Sequence, residues 1–401
     1  LKIAMVSADG SPLDEAAGPH GAYVDGLSAA LCRDGHEVAV YTRRDHRGAP
    51  ARVRTDRGYE LVHVPAGPAE RLADEDALPH IGAFTSSLLR EWATSPPDVV
   101  HGHRWVSGMV SVLGGRRISV PVVQTFHSLA AAEQRHCTTR GTGPEQRRKL
   151  EVLVGREVAH VAAGSSSEAF ELLNAGVHRS AISVVPSGVD IDAFTPDGPE
   201  ARRGRPHRVV LTGTQLTPRH VDAVISALFR VDGAELVVAG LPLGRPGGDP
   251  AAAKARDVDA GPRVAFTGPV ARSAMPALLR SADVVVCASS YEPSSAIALE
   301  AMACGVPVVA TAVDALADVV VDGVTGLLVP PGEQVALSRA LRSLLLNDTL
   351  RNEFAVAGRD RVTARYSWDR VAADFLRLYE QAGARTAGAA DPVHQASASE
   401  A

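Results

Sequence analysis

Ala282–Thr311 reads ADVVVCASSYEPSSAIALEAMACGVPVVAT, and this stretch decides the fold class. ADVVVCAS is a short, continuous apolar run of the kind found in strands buried on both faces, and VPVVAT is a second. Between them a start rich in small residues leads into an apolar helical run that stops at Gly305-Val306-Pro307. Buried strands joined through a helix imply parallel pairing with a right-handed crossover. The same stretch carries two carboxylates, Glu292 and Glu300, eight positions apart.

The pattern repeats outward in both directions. KIAMVS, HEVAVYT, PDVVHGH, VPVVQTFHS, HVAAGSSSEAFELLNAG and ISVVPSGVDIDAF fill the first half, and RVVLTG, AELVVAG, RVAFTG and TGLLVP complete the second. Between the halves, TPDGPEARRGRPH (Thr195–His207) lacks periodicity and reads as a linker. The expected architecture is α/β, with two Rossmann-like domains facing each other across a cleft. The expected boundaries are 1–194, a linker 195–207, and 208–365. A C-terminal helix 366–381, with Ser367 as N-cap, would be free to cross back to the first domain. The remainder, 382–401, is rich in Ala, Ser and Gly without apolar period and reads as disordered.

Composition excludes several classes. The chain has 401 residues, 45% hydrophobic but only 4% aromatic, which suits Val-rich strands under Ala/Leu-rich helices. A formal charge of −5 argues against nucleic acid as a partner. No run approaches about 18 consecutive apolar residues, and Lys2 already enters a strand, so no membrane insertion and no signal peptide are expected. Cys32, Cys137, Cys287 and Cys304 are scattered without metal-like spacing and read as reduced thiols of a cytoplasmic protein.

In open parallel sheets ligands bind beyond the carboxyl ends of strands, which selects a few loops. Gly18–Gly21 (GPHG) precedes a helix, where free N–H groups could meet an anion or simply turn the chain. His101, His103 and His127 end two strands. His101 reads as structural, whereas His103 and His127 read as polar pocket wall. No third and fourth ligand accompanies them, so no metal site is expected. In the second half Gln215, Arg219 and His220 offer donors in a loop, or merely solvated charge. Ser294, Ser295, Ala296 and Ile297 would present backbone N–H groups to a phosphate without side-chain obstruction. A carboxylate suits the paired hydroxyls of a ribose or sugar. Spacing alone leaves Glu292 and Glu300 open between such ligands and ordinary helix-start acids.

The stretch YEPSSAIALEAMACGVPVVAT resembles the E-x7-E segment of the retaining family-4 glycosyltransferases, which have the GT-B fold. VVPSGVDIDAFTP, DGVTGLLVPPGE and YSWDRVA extend the resemblance across nearly the whole chain. GHRWVSG and VPVVQTFHSLA are most similar to the branch of mycothiol-pathway N-acetylglucosaminyltransferases that act on inositol phosphate. The resemblance implies a metal-independent transfer from a nucleoside-diphosphate sugar, UDP- or GDP-linked, used as co-substrate with no bound cofactor. Glu292 would hold donor-sugar hydroxyls, Glu300 the ribose, and the amides after Pro293 the diphosphate. Gly21 would approach that diphosphate, the Gly268–Val270 loop would meet the base, and His127 would contact the donor sugar near the reacting carbon. His20, Tyr23, His103, Arg104, Ser128 and Arg147 would face the acceptor, with Arg147 on its phosphate.

The match is incomplete at defined positions. Relatives usually carry Arg and Lys where this chain has Gln215 and His220, and Phe-Gly where it has Ser294-Ser295. Their Gly-Gly is replaced by Asp314-Ala315. A Lys is replaced by the acidic ADEDALP segment (Asp74, Glu75, Asp76), and a Tyr by Arg104. The expected function is transfer to a small polar acceptor (an aminocyclitol, an inositol-like compound or a low-molecular-weight thiol) in specialised metabolite biosynthesis. A catalytically silent sugar-nucleotide-binding partner and a pseudo-glycosyl coupling enzyme are the alternatives. The partners expected are small molecules, with a homodimer left open.

Overall fold

Parallel pairing runs through both halves of the chain. The computed structural model describes residues 1–8, 10–14, 18–136, 144–213, 216–228, 233–240 and 263–389. Cys137, Gln215 and the tail beyond Ala389 lie outside the described residues. The chain divides into two units, Leu1–Pro186 together with Trp368 onward, and Ser187–Ser367.

The first unit holds β1 (Lys2–Val6), β2 (Glu37–Arg43), β3 (Arg52–Arg54), β4 (Glu60–Val64), β5 (Val99–His103), β6 (Val122–Thr125), β7 (His160–Ala163) and β8 (Ile182–Val184). They lie in the order β3-β4-β2-β1-β5-β6-β7-β8. Among the described strands of this sheet only β3, a short charged edge strand, pairs antiparallel. Alternate residues feed opposite faces, as the two-residue period of a strand demands. Ala4 and Val6 join a core with Phe84, Trp92, Val110 and Phe126. Ile3 and Met5 join one with Leu27, Leu31 and Val40.

That second core is completed by the last helix, Trp368–Ala389, through Trp368, Phe375, Leu378 and Tyr379. Gly26 on helix Gly18–Arg33 makes the contact possible, because a Cβ there would sit 2.3 Å from the Trp368 indole. The helix runs past residue 381, where the sequence reading ended it. Ala382 is fully buried and the Arg385 guanidinium donates to the Ser180 carbonyl at 2.8 Å, so packing extends the helix through Ala/Gly-rich sequence.

The second unit holds β9 (His207–Leu211), β10 (Ala234–Ala239), β11 (Val264–Gly268), β12 (Val284–Cys287), β13 (Val308–Thr311) and β14 (Gly326–Val329), in the order β11-β10-β9-β12-β13-β14. All described pairs are parallel. The unit begins earlier than the linker suggested. Val189 and Phe194 are buried in its core, and Arg359 donates to the Phe194 carbonyl at 2.9 Å. The division at Pro186/Ser187 therefore replaces the expected end at 194. Helix Ala296–Ala303 ends as its sequence requires: Gly305 takes φ 71°, and the Gly305 and Val306 amides return to Met302 and Ala301 at 3.0 Å each.

Both sheets reverse their strand order at one place, between β1 and β5 and between β9 and β12. Diverging connections leave a crevice at the carboxyl ends of such a strand pair. The candidate residues cluster at these two points.

Candidate functional site

At the β1/β5 reversal, Gly102 lets the Gln124 carboxamide approach β5, since a Cβ would lie 2.6 Å from its Oε1. His101 is fully buried and satisfied, with Nδ1 against the Tyr379 hydroxyl at 2.8 Å and Nε2 against Thr125 Oγ1 at 2.9 Å. Its structural role matches its place in the strand. His103 corrects the expectation of an exposed wall, because it too is fully buried. It is packed between His101, with ring centroids 4.1 Å apart, and His127, at 5.4 Å. Its Nδ1 meets His127 Nε2 at 3.1 Å, so His103 acts by fixing His127.

His127 is only partly covered and carries φ 66°, as does Arg104 directly after β5. Left-handed backbone at a non-glycine residue costs about 1–3 kcal/mol and aims the side chain away from the strand line. His20 and Tyr23 meet the His127 ring edge-on at 4.7 and 4.8 Å, and His20 Nε2 reaches Ser7 Oγ at 3.0 Å. Burial, followed by the neighbouring His and Arg charges, holds His20 and His127 well below the ordinary imidazole range. Burial alone brings His103 to about 3. The cluster is therefore uncharged near neutrality, and in the His103–His127 contact one ring donates to the other.

GPHG forms the first turn of helix Gly18–Arg33 rather than a loop before it, which places Gly21, buried, within that turn. Arg104 donates to Asp74 at 2.7 Å, and the Trp105 indole N–H joins the same oxygen at 2.9 Å. Arg147 is held more completely. It donates to Glu151 at 2.7 Å, to Glu133 at 2.8 Å and to Ser128 Oγ at 3.2 Å. Glu151 is itself fixed by the Ala130 amide at 2.9 Å. Glu168 accepts from the Gly164 amide at 2.7 Å, while its other oxygen is buried with no partner. Burial, reinforced by the Glu151 charge, lifts its carboxyl to about 7. Sequence reasoning missed Glu133, Glu151 and Glu168. Only the i,i+4 spacing of Arg147 and Glu151 was there to signal them.

At the β9/β12 reversal the two carboxylates of the opening stretch are both buried. Glu292 precedes the helix, its amide donating to Asp314 Oδ2 at 3.1 Å and its carbonyl accepting from Ala315 at 3.3 Å. Asp314 is itself left-handed, at φ 39°. An aspartate tolerates that conformation better than most residues, and here its side chain anchors the backbone of Glu292. The Glu292 carboxylate lies close to Gly213, where a Cβ would be 3.3 Å from Oε2.

Glu300 follows on the helix. Arg272, stacked at 4.6 Å over the Phe194 ring, pairs with one of its oxygens, and the other is buried with no protein partner. Burial raises its pKa against the opposing pull of Arg272. Ser295 precedes the helix, its hydroxyl buried and unpartnered, and Ser294 Oγ accepts the Ala296 amide at 3.3 Å. The first amides of any helix lack intrahelical acceptors, which places Ala296 and Ile297 at the anion-attracting end. Arg272 also escaped the sequence reading. Val270 is partly buried against the same core, just after Gly268.

Arg219 and His220 sit in the first turn of helix Pro218–Leu228 rather than in a loop. Arg219 is exposed. His220 Nδ1 accepts the Thr217 amide at 3.3 Å, so its Nε2 carries the proton toward Ser290 Oγ at 3.1 Å. Among the described residues no group of three or more His, Cys, Asp or Glu side chains is disposed to hold a metal. No described helix is long and apolar enough to cross a membrane.

Two doubly wound, predominantly parallel sheets, the second with buried carboxylates beside a helix start, are the architecture of the GT-B glycosyltransferases, which use nucleotide sugars. The chain belongs to the family-4 glycosyltransferases: residues 20–193 match the model described as Glycosyltransferase Family 4, and 203–361 that of Glycosyl transferases group 1. It is similar to the D-inositol 3-phosphate glycosyltransferase of Xylanimonas cellulosilytica, with 36% identity over 96% of this chain and 97% of that one. The enzyme of the same description from Mycobacterium tuberculosis is 33% identical over 95% of this chain and 83% of its own. Sucrose-phosphate synthase from Thermosynechococcus elongatus superposes with a TM-score of 0.84 at 25% identity, over 96% and 99% of the two chains. HepE from Anabaena, solved with UDP-glucose, shares the fold at a TM-score of 0.69 and 17% identity, over 96% and 99%.

Proposed function

We propose that this protein transfers a sugar, with retention at the anomeric carbon, from a UDP- or GDP-linked donor to a small cyclitol-like acceptor. The observation that carries the reading is the buried pair Glu292 and Glu300 flanking a helix start. Supporting it are relatives described as acting on inositol phosphate and a structural neighbour solved with UDP-glucose. Glu300 holds the ribose, Glu292 the sugar hydroxyls, and Ser294, Ser295, Ala296 and Ile297 at the helix start the diphosphate, with Gly21, Gln215, Arg219 and His220 as its further ligands. The Val270 loop takes the base. His127, neutral and fixed by His103, touches the donor sugar near the reacting carbon. His20, Tyr23, Arg104, Ser128 and Arg147 line the acceptor side.

A retaining front-side transfer asks little of an enzymic base, because the leaving diphosphate takes the acceptor proton. The protein then stabilises charge on that diphosphate and aligns the hydroxyl. The departures at Asp74 and Arg104 fit a role in specialised metabolite biosynthesis, with small molecules as partners in the cytoplasm. Light scattering tests whether the protein is a homodimer. The function is tested by a thermal-shift panel of UDP, GDP, ADP and dTDP, since a ligand bound only by the native state adds about 2.7 kcal/mol at a hundred times its Kd. UDP or GDP should give the largest shift. No shift with any of the four would overturn the reading.

A further inference from the structure

The acceptor relatives are described as inositol phosphate enzymes, yet the side chains here carry the wrong balance of charge for an anion. Arg147 is the guanidinium that would meet a phosphate. Glu133, Glu151 and Ser128 already engage it, and its side chain is only 18% exposed. Arg104 is likewise bound to Asp74. Among the described residues, three carboxylates engage these two guanidinium groups: Asp74 on Arg104, and Glu133 and Glu151 on Arg147. The three histidines of the cluster add no positive charge near neutrality.

We propose that Glu133 is a specificity-determining residue that turns Arg147 from an anion-binding into an anion-excluding group, so that the acceptor carries an ammonium rather than a phosphate. Glu151 and Glu133 differ in how they do this. Glu151 is buried, four residues from Arg147 on the same helix, and fixed by the Ala130 amide, so it sets the arginine's position. Glu133 comes from the separate helix Ala130–His136, is about one-third exposed, and grips both terminal nitrogens of Arg147. It occupies the terminal N–H donors that a phosphate would otherwise use. Two carboxylates on one guanidinium leave net negative charge, which repels a phosphate and attracts an ammonium.

This inference rests on the transferase reading and on the first unit binding the acceptor. The test uses the full chain, the nucleotide sugar selected by the thermal-shift panel, and three acceptors: an aminocyclitol, the parent cyclitol and its monophosphate. The aminocyclitol should exceed the monophosphate in kcat/KM by about 100-fold at low salt, and the gap should narrow as salt rises. Glu133→Gln should cut that ratio at least about tenfold, chiefly by lowering KM for the monophosphate, and Glu133→Asp should restore it. Wild-type preference for the monophosphate, or a ratio unmoved by Glu133→Gln, overturns the proposal while leaving donor binding and transfer intact. If no nucleotide binds and no donor is consumed with any acceptor, the transferase reading fails and this inference falls with it.

Discussion

The two strand-order reversals are built in opposite ways. At β9/β12 the two carboxylates and the helix-start amides come from one contiguous stretch, and several polar atoms there (one Glu300 oxygen and the Ser289 and Ser295 hydroxyls) are buried without a protein partner. At β1/β5 the groups come from at least five separated segments, and most are bound to one another: His103 to His127, Arg104 to Asp74, Arg147 to Glu133 and Glu151. A buried polar atom that the protein leaves unsatisfied is costly, so the second unit keeps binding capacity in reserve for a ligand. The first unit spends its charged groups largely on one another, although it too leaves His20 Nδ1, the Tyr23 hydroxyl, Gln124 Oε1 and one Glu168 oxygen buried without a protein partner. One reversal is thus poised to grip, the other to select.

Glu292→Gln breaks the gripping side most directly. Turnover should fall by about 100- to 1,000-fold. Nucleotide diphosphate affinity, measured by calorimetry, should change only a few-fold, and equal losses in both would contradict a sugar-binding role. Asp314→Ala removes the anchor of the Glu292 amide without touching its carboxylate. A fall in kcat of about tenfold with unchanged nucleotide binding is expected, as misplacement alone can cost that much. If kcat is unaffected, Asp314 does not position Glu292.

On the selecting side, Gly26→Ala drives a methyl into the Trp368 indole and should cost about 1–3 kcal/mol in denaturant unfolding. The smallest effect belongs to Glu168. Its carboxyl lies near 7 in the folded chain against an ordinary 4.5, so the folded state binds the extra proton between those values. That contribution is complete below pH 4.5 and is lost as pH rises through 7. Glu168→Gln should flatten the fall in melting temperature across this window, and an unchanged slope would remove Glu168 as its source.

Legibility followed the same division. Val-rich runs such as VVVC and VVAT announced β12 and β13, because strands buried on both faces need continuous apolar sequence. Glu292 and Glu300 could be singled out together because both lie in a single loop and helix start, and both are buried there. Arg272 was not, since nothing local links it to Glu300 across 28 residues. Nor was Glu133, whose partner Arg147 lies on another helix. His103 misled because its place at a strand end looks the same whether the ring is packed between two others or open. The charged β3 has no apolar alternation to reveal an edge strand. The boundary at Pro186 was hidden because Val189 and Phe194 are apolar either way, and sequence does not say which core receives them.

The last helix has a consequence for how the molecule is made. His101 waits for Tyr379, which lies 278 residues further along. At about 5–20 residues per second, a ribosome takes on the order of ten seconds to a minute to deliver it. During that interval the nascent first unit lacks Trp368, Phe375 and Tyr379, and the apolar face that awaits them stays uncovered while all of the second unit is synthesised. Nascent chains of this protein should therefore engage chaperones until the final turns of the helix emerge.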